Sequence, residues 1–123
     1  MTTRDLERLK GINPILIDIV IEASKTSPIP FGIPRDAGLR TAKRQNELFQ
    51  KHRSKCDGYV KLSYHQSGNA FDIYAIKDGV PSWNKELLTE IANHILSVAK
   101  DMGVKLTWGG HWTKFKDMPH FQI

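Results

Sequence analysis

One cysteine, Cys56, is all that the chain contains, which excludes an internal disulfide and a thiolate zinc cluster. Any metal site must use histidine and carboxylate. Cys56 has Lys55 and Lys61 nearby but no His and Asn arrangement pointing at it, so it is read as incidental rather than as a nucleophile. Long apolar runs are missing too. The most hydrophobic stretch, Ile12 to Ile21, is interrupted by Pro14 and Asp18 and is too short to span a bilayer, so no stable membrane insertion is expected. The opening MTTRDLERLK lacks the apolar core of a secretory signal, which places synthesis in the cytoplasm with no signal peptide. Acidic residues are outnumbered, 13 against 18 Lys and Arg, for a formal charge of +5. That excess favours an anionic partner. The basic residues are nevertheless scattered between Lys43 and Lys116, with no recognition helix or aromatic stacking signature, so a solvated basic surface is the simpler reading and no nucleic acid is expected.

What is present suits one soluble domain. The chain has 123 residues, 40% hydrophobic and 25% charged, enough for a single core. Asp5 to Lys10 reads as a short helical turn, and Pro14 as the first residue of a helix running to about Ser24, with Ile15, Leu16, Ile19 and Val20 inward. SPIPFGIPRDAG should turn or extend, with a short strand around Phe31 to Ile33. Thr41 can cap a helix from Ala42 to about Lys51 that faces Leu48 and Gln45 inward. The strongest helical period runs from Asn84 to Met102, ended by Gly103. Strand alternation marks Val104 to Trp108, Phe71 to Ile76 and His120 to Ile123. Helices first and strands mostly later, without a strand-helix-strand repeat, predict an α+β domain with an antiparallel sheet.

In such strands Asp72 projects opposite Phe71 and Ile73, and His120 projects opposite Phe121 and Ile123. If the two strands are neighbours, Asp72 and His120 converge, and Gly68 lets the backbone fold back so that His65 joins them. Two imidazoles and a carboxylate form a ligand set that Zn²⁺ accepts, with one position left for water. Asp117, three residues before His120 in DMPH, could then serve as the base that a peptidase needs. The residues alone leave a second reading open, in which His65 caps a turn, Asp72 pairs with a nearby lysine and His120 is an ordinary strand residue.

SYHQSGNAFD, residues 63 to 72, fits S-x-H-x-x-G-x-A-x-D, and a second motif, WGGHWTKFKDMPHF, follows later in the chain. Together they closely resemble the zinc peptidases that include D-alanyl-D-alanine carboxypeptidases, vancomycin-resistance dipeptidases and bacteriophage endolysins cleaving the L-alanyl-D-glutamate bond of peptidoglycan. The resemblance begins at FGIPRDAGLRTAKRQNELFQ and runs to HFQI. It implies a Hedgehog/D-Ala-D-Ala peptidase-like fold, a small antiparallel sheet packed against several helices, with residues 1 to 123 as one zinc peptidase catalytic domain. By the same resemblance His65, Asp72 and His120 match the zinc ligands, Asp117 the general acid/base, and Arg40 an arginine that steadies substrate or oxyanion. Gln45 also matches, although a buried structural hydrogen bond explains it equally well; Ser63 is read as orienting the His65 loop. Relatives commonly carry an acidic residue at the position of His111 and frequently an arginine at that of Tyr64; His111 is not read as a ligand. Trp112 can line the cleft, and core packing suits Trp108 better. His52 and His94 fit no motif.

The activity so implied is that of an endolysin acting on peptidoglycan stem peptides. A monomer is expected, made in the host cytoplasm and acting in the periplasm or cell wall after release. A D-alanyl-D-alanine carboxypeptidase or dipeptidase, or a non-catalytic zinc-containing binding module, are the alternatives.

Overall fold

The computed structural model describes all residues from 1 to 123. Thr2 opens helix α1 (Thr3–Arg8) through a capping box, its hydroxyl accepting from Asp5 N and the Asp5 carboxylate accepting from Thr2 N. Asn13 caps α2 (Pro14–Thr26) by accepting from Ile15 N, with Pro14 in the first turn where its missing N–H costs nothing. Thr41 caps α3 (Ala42–Gln50), and Asn84 caps α4 (Lys85–Asp101). Gly103 takes the left-handed φ of +76° just past α4, so the chain can reverse without a Cβ penalty. α4 packs on α2, burying Leu88, Ile91, Ala92, Ile95 and Ala99 against Leu16, Ile19, Val20 and Ala23.

Six short strands form two antiparallel sheets rather than one. β1 (Phe31–Gly32), β3 (Tyr74–Lys77) and β4 (Val80–Ser82) make the first, in the order β1-β3-β4. β2 (Ala70–Asp72), β5 (Thr107–Trp108) and β6 (His120–Gln122) make the second, in the order β2-β6-β5. The antiparallel α+β class is as the sequence predicts. The alternating run from Phe71 to Ile76, however, is two strands. Asp72 N–H donates to Ala37 O and Ile73 N–H to Pro119 O, so the chain leaves one sheet and enters the other at this point. Tyr74 is buried, with its ring against Gly32 and Trp83. The strand expected from Val104 is also shorter: Val104 N–H closes the end of α4 by donating to Ala99 O, and Val104 and Leu106 pack on the core without ladder partners.

Phe71 and Phe121, both fully buried, stack with ring centroids 5.0 Å apart and planes 11° from parallel. They face each other in the register Phe71↔Phe121, next to Asp72↔His120. Asp5 closes the other end of the core. Its carboxylate accepts from Thr2 N at 3.1 Å, Thr2 Oγ1 at 2.8 Å and Ile33 N at 3.0 Å, fastening α1 to the segment after β1. Burial by itself would raise the Asp5 pKa; the bonds from Ile33 and Thr2 outweigh it and hold the carboxyl below its ordinary value. Asp5→Ala is expected to cost about 1 to 3 kcal/mol at neutral pH, since it leaves buried donors unpartnered. A depressed folded-state pKa contributes stability that is complete above the ordinary 3.8 and is lost as pH falls through the folded value. Urea unfolding at pH 7 and pH 3 should therefore show the gap between wild type and Asp5→Asn narrowing in acid.

Candidate metal centre

The first histidine is positioned by a 3-10 turn, Tyr64–Ser67. Ser63 Oγ accepts from His65 N at 3.2 Å, and Gln66 Oε1 accepts from Ser63 N at 2.9 Å, which is the orienting role read for Ser63 in the sequence. Gly68 ends the turn at φ +75°, with Gly11 O and Ile12 Cα both 3.2 Å from where a Cβ would sit. Glycine is favoured there on both counts. His65 is thereby buried, with Nδ1 3.0 Å from Gly38 O. A carbonyl only accepts, so Nδ1 carries the proton and Nε2 presents a lone pair.

His120 and Asp72 arrive on paired strands in direct register. His120 Nε2 lies 2.8 Å from Gln122 Oε1, so with Nε2 donating there, Nδ1 faces inward as an acceptor. The three inward atoms are then His65 Nε2, His120 Nδ1 and Asp72 Oδ1. His65 Nε2 is 3.2 Å from His120 Nδ1 and 3.4 Å from Asp72 Oδ1, and His120 Nδ1 is 3.1 Å from Asp72 Oδ1. Tetrahedral ligand atoms with bonds of about 2.0 to 2.2 Å stand roughly 3.3 to 3.6 Å apart. The observed spacing is within a few tenths of an ångström of that, so the three groups could hold one metal ion. Burial pushes the Asp72 carboxyl up, but the two imidazoles against it, His120 foremost and each able to donate to it when protonated, prevail and hold it well below the usual carboxylate range. Burial likewise lowers the His120 imidazole, and the Asp72 carboxylate beside it prevails and raises it.

Arg40 lies against the same carboxylate. Its Nη2 is 3.4 Å from Asp72 Oδ2, its Nε donates to Asp36 O at 2.7 Å and its Nη1 to Gln45 Oε1 at 3.1 Å. Its backbone N–H also donates to His65 O at 3.1 Å. Gln45, fully buried, uses Nε2 to hold Ser54 Oγ at 2.7 Å and Cys56 O at 2.9 Å, so it is a structural link between Arg40 and the 53–56 loop.

Asp117 lines the cleft that contains His65, Asp72 and His120. Its backbone N–H donates to Gly109 O at 3.1 Å and its carbonyl accepts from His120 N at 3.2 Å. A Cβ at Gly109 would collide with Asp117 O, so this glycine allows the two segments to touch. Burial, then the negative charge of Asp72, raises the Asp117 pKa, against the opposing pull of His120, His65 and Arg40. A carboxyl so raised can take up and release a proton nearer neutrality.

Trp112, half-buried, lies 5.5 Å from the His120 ring and lines the cleft. Trp108 is buried, its Nε1 donating to Met118 O at 2.7 Å. His111 is exposed and edge-on to Trp108 at 4.8 Å, outside this cleft. His94 joins α4 to α2 through Thr26 Oγ1 at 2.8 Å, whereas His52, unassigned from sequence, stands in the cleft wall. Two partners were not read from the sequence. Gly38 O has no side-chain signal at all; Gln122 does, because two residues along a strand it shares the face of His120.

Paired antiparallel strands and a 3-10 turn bring two imidazoles and a carboxylate to one point, in a cleft with a further acid, and so define a small α+β domain whose site could hold a metal ion. A family model described as phage L-alanyl-D-glutamate peptidase matches residues 1–121, and the chain belongs to that family. It is 34% identical over 98 residues to the peptidoglycan L-alanyl-D-glutamate endopeptidase CwlK of Bacillus subtilis (strain 168). That alignment covers 70% of this chain and 57% of CwlK, so the chain spans little more than half the length of this curated relative. The crystal structure of Serratia marcescens L-Ala D-Glu endopeptidase ChiX matches with a TM-score of 0.87 at 34% identity, covering 100% of this chain and 88% of that one.

An imidazolium cannot ligate, so protons compete with a metal ion at His120. Because the His120 pKa is raised above 6.5, apparent divalent-ion affinity should fall as pH drops through that raised value, with proton release on binding, and level off above it. Gln122→Leu, which removes the acceptor that orients His120, should weaken metal affinity by about 10- to 100-fold. Calorimetric titration in buffers of different ionisation enthalpy reads both effects.

Proposed function

We propose that the chain is a zinc-dependent endopeptidase that hydrolyses the L-Ala-D-Glu bond of peptidoglycan stem peptides during host lysis. The observation that carries this reading is the convergence of His65 Nε2, His120 Nδ1 and Asp72 Oδ1 within 3.1 to 3.4 Å of one another, with Asp117 in the same cleft. Family membership supports the reaction class, and the names of CwlK and ChiX support the bond.

In this mechanism His65, Asp72 and His120 would hold Zn²⁺, which imidazole and carboxylate suit. Zinc bound there supplies Lewis acidity towards water and the scissile carbonyl. Asp117 takes a proton from the water as its oxygen bonds to the carbonyl carbon, then delivers that proton to the glutamyl nitrogen as the C–N bond breaks. Its raised pKa suits both halves of the exchange. Arg40, held by Asp36, Gln45 and Asp72, keeps a guanidinium beside the centre, where it stabilises charge growing on the carbonyl oxygen. The substrate lies in the periplasm or wall, and the +5 charge draws the protein to an anionic envelope in a salt-sensitive way. No helix is long and apolar enough to cross a membrane.

Zinc-loaded protein incubated with purified sacculi should release peptides with new N-terminal D-glutamate, and chelation should stop it. Asp117→Ala should lower kcat by about 10²- to 10⁴-fold while zinc content, measured by atomic absorption, stays the same. Release of terminal D-alanine instead, or sacculi bound and left uncut, would overturn the proposal.

A further inference from the structure

The cleft wall above the centre is cationic and has no acid of its own. Arg53, Lys55, Lys61 and Lys116 line it, while its only Asp or Glu residues, Asp72 and Asp117, belong to the centre itself. All four cations are exposed, and none is ion-paired, since the molecule's Lys and Arg ion pairs are those of Lys25, Arg40 and Arg44. Like charges gathered round one opening repel one another and focus a positive potential into it.

The wall is also held in shape. Gln45 fixes Ser54 and Cys56 on either side of Lys55. Asp57 Oδ1 accepts from the N–H groups of Tyr59, Val60 and Lys61 at 2.9 to 3.0 Å, which sets the turn leading to Lys61. The Lys55 ammonium stands 4.9 Å from the centroid of the Phe115 ring, joining the two lips of the cleft by a cation-π contact. Phe115 itself has φ +53°, a left-handed conformation unfavourable for a bulky side chain.

We propose that this wall is a carboxylate subsite, which recognises the free carboxyl group of the glutamyl residue on the leaving side of the scissile bond. The inference rests on the peptidase reading above. A glutamyl residue has two carboxyl groups besides its amine, so one remains free when the other continues the chain. At the centre that free carboxylate would compete with water and the scissile carbonyl for the metal ion and would meet Asp117, while Arg40, anchored by Asp36, Gln45 and Asp72, serves the carbonyl oxygen. The unpaired cations of the wall are the partners left for it. Amidation of the same carboxyl removes the charge with little change of shape, so the subsite distinguishes the acid from its amide.

The test uses the full, metal-loaded chain and two L-Ala-D-Glu stem peptides that differ only in whether this carboxyl is free or amidated. Wild type should favour the acid about tenfold in kcat/KM, mostly through KM, as a few exposed charge contacts supply, and salt should shrink the preference. Substituting Arg53, Lys55, Lys61 and Lys116 together by Gln should bring the ratio close to one, with Lys61→Gln and Lys116→Gln each moving it part of the way. Replacing Lys10, Lys25, Lys85 and Lys100 by Gln removes the same charge away from the cleft and should leave the ratio intact. Equal preference in wild type, a ratio retained in the wall variant, or equal loss in the distal variant would overturn the proposal. Calorimetric affinities of both peptides for Asp117→Ala give the same ratio without turnover. Absence of cleavage then counts against the peptidase reading alone.

Discussion

The stacked pair Phe71 and Phe121 is the constraint on which the centre depends. Both rings are fully buried and face each other across β2 and β6. Side chains alternate along a strand, so fixing this pair inward fixes Asp72 and His120 on the other face, directly opposite one another. A slip of one residue would send Asp72 into the apolar core and Phe71 into the cleft. The energetic penalty for that exchange, a buried charge together with lost apolar burial, makes the register unambiguous. Packing of the core thus sets the geometry of a polar site a few ångströms away.

The helices were legible because their signals are local. Asn13, Thr41 and Asn84 each cap where the period of apolar residues begins, and Gly103 stops α4. The strands were less so. Nothing in Phe71-Asp72-Ile73-Tyr74 reports that the N–H groups of Asp72 and Ile73 will be taken by Ala37 and Pro119, residues distant in sequence. A break that depends on such partners leaves the alternation of residue types untouched. β4 has a local sign of its own: Asp78 and Gly79 take φ of +52° and +80°, the paired left-handed conformations of a tight hairpin, and Asp-Gly is a sequence signature of that turn. Pro81 in a three-residue edge strand obscured it.

At the centre, the histidines and carboxylates could be picked out because few residue types bind cations and their spacing recurs in a known motif. The groups that aim them are harder to read. Gly38 acts through its carbonyl, which every residue possesses, and Gln45 acts through both ends of an amide whose partners, Arg40, Ser54 and Cys56, lie on three segments. Gln45 shows how one buried amide can couple two tasks. Its oxygen steadies the guanidinium beside Asp72 and its nitrogen shapes the loop that bears Arg53 and Lys55. Replacing it with an apolar residue of similar size would strand donors and acceptors on both sides.

The division of labour on Asp72 follows from the same reasoning. Oδ1 faces both imidazoles, whereas Oδ2 faces Arg40 Nη2. With Oδ2 turned towards the guanidinium, Oδ1 is the oxygen presented to the imidazoles, and the carboxyl stays ionised there. A carboxylate free to chelate through both oxygens would fill a coordination position that a hydrolytic centre needs for water or substrate. The 3.4 Å separation from Arg40 is long for a strong charge-assisted bond. The remaining hold on the guanidinium comes from Asp36 and Gln45 at 2.7 and 3.1 Å. Arg40 is therefore anchored by groups outside the centre and only rests against Asp72, which lets it orient the carboxylate while leaving Oδ1 to the imidazole side.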